Sequence, residues 1–84
     1  MIYLFTQETC IPCGMVRKYL EFNNNIKMEH IIEVPLESEL AKRYGVTATP
    51  WLVVTNDLEE KIEEYKGGGP IVENIRTIYN TYVK

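Results

Sequence analysis

The chain is poor in the side chains on which metal sites and acid–base devices are usually built: its 84 residues carry two cysteines and one histidine. A structural zinc site takes four ligands, so Cys10, Cys13 and His30 would complete one only across a dimer. A basic block is missing as well. Asp and Glu outnumber Lys and Arg by 12 to 9, which leaves no phosphate-backbone footprint and argues against a nucleic-acid partner. Long apolar runs are also lacking. Met1 leads into Ile2-Tyr3-Leu4-Phe5, far shorter than a signal-peptide core or a membrane span, so the expectation is a soluble cytoplasmic protein with no membrane contact. No Ser-His-Asp set or paired-carboxylate device is legible, and Gly67-Gly68-Gly69 lacks the Lys-Ser/Thr of a phosphate loop. With no internal repeat and no long linker, residues 1–84 read as one domain, and 45% apolar side chains suffice for a small core.

What is present is a cysteine pair in a telling place. Cys10-Ile11-Pro12-Cys13 follows the first apolar run and heads an amphipathic stretch. In a reducing cytosol a lone pair is seldom a structural staple, and this spacing at a strand-to-helix junction suggests a dithiol that cycles with a disulfide.

The flanking elements follow from periodicity. Ile2 to Phe5, apolar throughout, predicts a central strand covered on both faces. Ile11, Met15, Val16, Tyr19 and Leu20 recur at helical spacing and predict a surface helix with one buried stripe, with Pro12 in its first turn and Asn23-Asn24-Asn25 as its stop. Met28 to Val34 reads as a second strand, with His30 a core-edge side chain on it. Pro35 breaks that strand, and Leu36, Leu40 and Tyr44 ahead of Gly45 predict a short helix of about ten residues. Trp51 to Val54 is a third strand, Asn56-Asp57 opens a turn, and the charged segment Lys61 to Lys66 suits an exposed sheet edge. Pro70 starts a last helix whose buried face is Ile71, Ile75, Ile78, Tyr79 and Tyr82. The fold class is α/β, in the order β-α-β-α-β-β-α.

That order, with C-x-x-C after the first strand and Thr49-Pro50 before the third, resembles the thioredoxin/glutaredoxin superfamily. Three pieces carry the resemblance: Cys10 to Val16, Tyr44-Gly45-Val46-Thr47-Ala48-Thr49-Pro50, and the glycine cluster before the last helix. It implies a thioredoxin fold with a minimal four-stranded mixed sheet and three helices. Pro12 directly before the second cysteine, and Tyr44-Gly45-Val46, look thioredoxin-like; the chain's size and the lead-in Thr6-Gln7-Glu8-Thr9 look glutaredoxin-like. Thr9 stands where thioredoxins usually carry Trp, and Leu4 where they carry a buried Asp. Gln7 replaces the Lys that glutaredoxins commonly set against a glutathione carboxylate, and no acidic residue directly follows the glycines.

The resemblance implies Cys10 as nucleophile and Cys13 as resolving thiol, with no bound cofactor beyond the reversible Cys10–Cys13 disulfide. Cys10 at a helix start is expected to favour thiolate, with Glu8 opposing and Arg17 and Lys18 assisting weakly. It further implies a cis bond before Pro50, and substrate contacts from Ile11, Pro12, Thr49, Pro50, Trp51 and Gly68; core is an equally open reading for Trp51, and a flexible join for the glycines. The implied partners are a disulfide-containing protein, with ribonucleotide reductase as one client class, and thioredoxin reductase or glutathione as electron donor, to a monomer. Two alternatives stay open: a glutathione-dependent glutaredoxin, and a non-enzymatic adaptor or Cys-paired metal-binding module.

Overall fold

The computed structural model describes residues 1–23 and 25–83. Along the chain run β1 (Ile2–Thr6), α1 (Ile11–Phe22), a 3-10 turn (Met28–His30), β2 (Ile31–Pro35), α2 (Glu39–Arg43), β3 (Trp51–Thr55), β4 (Lys61–Lys66) and α3 (Gly68–Tyr82). They form one mixed sheet in the order β2-β1-β3-β4, with β1 parallel to β2 and the other pairs antiparallel. The central position expected for β1 is met: all five of its residues are buried.

Alternation along the inner strands divides the core into two layers. Ile2, Leu4, Leu52 and Val54 face α1 and α3, which contribute Val16, Leu20, Ile71, Ile75, Ile78 and Tyr79. Tyr3, Phe5, Trp51 and Val53 face the other way, toward Ala41, Tyr44 and Val46. The edge strand β4 keeps the expected charged, half-exposed character. Asn56 builds the preceding turn by accepting the backbone N–H groups of Leu58 and Glu60 on its side-chain oxygen.

Several expectations are corrected. The strand expected from Met28 begins only at Ile31, because its partner β1 begins at Ile2, which registers with Ile31; residues 28–30 have no strand to pair with and coil into the 3-10 turn. His30 is therefore on that turn, with Nδ1 2.8 Å from the buried Tyr79 hydroxyl. The strand also runs through Pro35 rather than stopping before it. Helix α2 has five residues, not about ten, because Ser38 caps it by accepting the Ala41 N–H. Gly45 does end it, at φ +71°, a conformation open to glycine.

In α1 the buried stripe is Cys13, Val16 and Leu20. Ile11 and Met15, expected inside, are exposed; at about 100° per residue they lie roughly 140° and 100° around the helix from Val16. The helix ends at Phe22 with Asn23 as cap, outside the left-handed region at φ −99°; Asn24 lies outside the described residues. Helix α3 starts at Gly68, two residues before Pro70, since first-turn N–H groups have no helical partner for proline to remove. Its Tyr82 is exposed and donates to Glu63 of β4 instead of joining the core.

Candidate active site

The C-terminal end of β1 delivers the chain to the site. The β1–α1 loop turns on a Cys10 N–H to Gln7 carbonyl bond of 3.3 Å, and Cys10 then caps α1 from an extended conformation. Its Sγ accepts the Cys13 N–H at 3.1 Å, which occupies one of the unpaired donors of the helix start. Cys10 and Cys13 form a disulfide with their Cα atoms 5.2 Å apart. The two sulfurs differ in setting: Cys10 is half-buried, whereas Cys13 is fully enclosed and belongs to the stripe that packs on the sheet.

The second loop of the site is the one before β3. The Thr49–Pro50 bond is cis. The loop is tied on both sides: the Thr49 hydroxyl donates to the Gln7 side-chain oxygen at 2.9 Å, and the Gly67 N–H donates to the Pro50 carbonyl at 2.9 Å. Gly67 makes the latter contact at φ +93°, where a side chain would be strained. Gly68 then lies against Pro12, so that a Cβ on it would come 3.6 Å from the Pro12 Cβ. The three sequence pieces, far apart in the chain, are thus joined at one end of the sheet: Ile11 and Pro12 are exposed beside the disulfide, and Thr49 and Gly68 are half-buried.

Trp51 is placed differently from the others. It is buried in the second core layer, its Nε1 donating to Glu64 at 3.3 Å and its ring lying 4.7 Å from the Lys66 ammonium. Hydrogen bonding from Lys61, and secondarily from Trp51, holds the Glu64 carboxyl below the usual glutamate range.

Two side chains matter more than the sequence alone suggests. Gln7 connects the cysteine loop to the cis-proline loop, a role that no local pattern announces because Thr49 is 42 residues away. Glu33, on β2, accepts Thr6 Oγ1 at 2.9 Å and Arg17 Nε at 2.7 Å. Arg17 is therefore committed to a carboxylate, leaving little of its charge for Cys10. Thr6, Glu33 and Arg17, together with Glu8 and Glu37, line a 660 Å³ groove beside the β1–α1 loop. Among the described residues no group of three or more His, Cys, Asp or Glu is gathered to hold a metal ion.

No protein-family model matches the chain. Over 64 residues it is 38% identical to the SPbeta prophage-derived thioredoxin-like protein YosR of Bacillus subtilis, an alignment that covers 76% of this chain and 78% of that protein. The chain belongs to the thioredoxin-like family. The fold agrees with solved thioredoxins. A mutant thioredoxin from Halobacterium salinarum matches at TM-score 0.74 and 23% identity, over 99% of this chain and 74% of that one. Fasciola hepatica thioredoxin matches at 0.75 and 20%, over 96% and 78%. The germline-specific thioredoxin Deadhead of Drosophila matches at 0.76 and 16%, over 98% and 79%. With a bonded cysteine pair at the head of α1, this thioredoxin-like protein is a thiol-disulfide oxidoreductase. No helix of the described residues is long and apolar enough to cross a membrane.

Proposed function

We propose that the protein reduces disulfides of other proteins in the manner of a thioredoxin, with Cys10 attacking and Cys13 resolving. The observation that carries this reading is the unequal setting of the two sulfurs: Cys10 half-buried at the helix cap, Cys13 enclosed behind it. In the reduced state the Cys13 N–H and the positive end of α1 favour a Cys10 thiolate. That thiolate attacks one sulfur of a substrate disulfide; the substrate S–S bond breaks and its second sulfur leaves as a thiolate. Cys13, once deprotonated, attacks Cys10 Sγ, breaks the mixed disulfide and releases the first substrate sulfur. Two electrons have passed to the substrate, and the protein carries the Cys10–Cys13 disulfide until a two-electron donor resets it.

Substrate contact falls to the surface around that bond. Ile11 and Pro12 flank it, Gly68 leaves a low wall against Pro12, and Thr49 offers backbone to an extended segment, a sequence-tolerant mode of recognition. Pro50 and the buried Trp51 hold the loop that presents Thr49. We assign the protein to a reducing compartment such as the cytoplasm, working as a monomer, with client proteins of which ribonucleotide reductase is one class.

The donor is tested directly. Oxidised protein is incubated with millimolar glutathione, or with NADPH and a flavoprotein thioredoxin reductase, and its thiols are followed by alkylation and mass. Reduction by the flavoprotein with little effect of glutathione is expected. Fast reduction through a Cys10–glutathione adduct would make the protein a glutaredoxin, and Cys13→Ser would then retain activity on glutathionylated substrates. Stoichiometric zinc in the purified protein, or a cellular role untouched by Cys10→Ser, would remove the enzymatic reading.

A further inference from the structure

Large apolar side chains stand exposed singly on most proteins, but on α1 three of them are aligned. Ile11, Met15 and Phe22 are 82%, 67% and 83% exposed. At about 100° per residue they fall within a sector of roughly 40°, and at about 1.5 Å per residue they run roughly 16 Å from the dithiol along the outer face of the helix. Lys18 lies at the edge of that sector, about 20° beyond Ile11, so that the stripe with its one charge spans roughly 60°. The inner face of α1 already supplies Cys13, Val16 and Leu20 to the core, so folding leaves this outer stripe uncovered.

Gly14 adds an independent observation. It lies inside α1 beside the stripe, where glycine weakens a helix relative to alanine. Nothing among the described residues requires it, since a Cβ there would meet none of their atoms within 4 Å. The free space lies one residue from Cys13 and keeps the helix backbone open to an approaching surface.

We propose that the outer stripe Met15–Lys18–Phe22, with the bare backbone at Gly14, is a docking track for the protein that exchanges its disulfide with Cys10. The partner is a folded protein presenting an apolar ridge with a carboxylate placed to meet Lys18. The track continues from the dithiol, where such a partner's sulfur has to sit, and it extends contact well past the cysteines and the cis-proline loop. This inference rests on the proposed reduction of protein disulfides and adds the surface that selects the protein.

The test uses reduced protein in excess dithiothreitol and two oxidised probes: insulin, a folded protein disulfide, and hydroxyethyl disulfide, too small to span the track. Phe22→Gln and Met15→Gln are compared with the parent. The expected result is a fall of about tenfold in the second-order rate on insulin, equivalent to about 1.4 kcal/mol, with no change on the small disulfide. Equal insulin rates would overturn the track, and so would an equal loss on both probes, which would place the effect at the dithiol itself. Sedimentation of the parent as a dimer that Phe22→Gln dissociates would assign the stripe to a second copy of this chain instead. If the parent reduces neither probe, the reductase reading itself fails, a different outcome from any of these.

Discussion

The two faces of α1 invite comparison. The inner face, Cys13, Val16 and Leu20, is closed against the sheet and α3; the outer face, Ile11, Met15 and Phe22, is apolar too but stands in water. Cys10 sits at the head of the helix between them. One helix therefore gives one cysteine to the core and leaves its partner, three residues earlier, within reach of another molecule. Under the proposed mechanism, that difference gives hydrophobicity along α1 two ends: enclosing the proposed resolving sulfur, and meeting whatever brings a disulfide to the proposed attacking one.

The sharpest way to break this comparison is to exchange the roles of the cysteines. Cys10→Ser is expected to lower protein-disulfide reduction by at least about a thousandfold, since the one remaining thiol, Cys13, is enclosed and out of a substrate's reach. Cys13→Ser is expected to keep the first attack and accumulate a mixed disulfide, visible as an added substrate mass. Accumulation of mixed disulfide in Cys10→Ser instead would reverse the assignment.

Next in size is the inner face. Leu20 is 2% exposed, and Leu20→Ala should cost about 2–5 kcal/mol of unfolding free energy. Phe22→Gln, on the outer face, should change stability by less than about 0.5 kcal/mol. Urea unfolding of the two variants measures both, and similar losses would show that the outer stripe is packed in solution.

Gly14→Ala sharpens the point at smaller scale. With room for the Cβ, it should raise stability by about 0.5–1 kcal/mol. A loss in the same urea assay would show that the space is used within the chain.

The smallest effect lies away from α1. Hydrogen bonds from Tyr65 and Tyr82 lower the Glu63 carboxyl, and the Lys61 hydrogen bond lowers that of Glu64. A carboxyl depressed in the folded state stabilises above its ordinary value, about 4.3, and that contribution is lost as pH falls through the lower folded value. Thermal midpoints should therefore hold near neutrality and drop on the acid side of about pH 4.5. Glu64→Gln should flatten part of that drop; an unchanged acid limb would place the sensitivity elsewhere.

How much of this was legible depended on whether the cause was local. Element order, the central β1, the Gly45 stop and the Asn56 turn follow from neighbouring residues and appear as read. The cysteine pair was legible because spacing and a strand-to-helix junction coincide. What escaped depended on distant partners. Met28 to His30 resemble strand residues, but β1 begins too late to pair with them. Ile11 and Met15 fit a helical stripe as well as Val16 does, and only the position of the sheet beneath Cys13 decides which is buried. Gln7 gives no signal at all until the fold brings Thr49 to it.

The most direct test of the central claim is the pH dependence of alkylation of the fully reduced protein by iodoacetamide, with each cysteine resolved by peptide mass. The unequal settings predict that Cys10 reacts first, with an apparent pKa below the free-cysteine value of about 8.5, while Cys13 reacts slowly across the same range. Equal reactivity of the two thiols, or faster reaction at Cys13, would contradict the account.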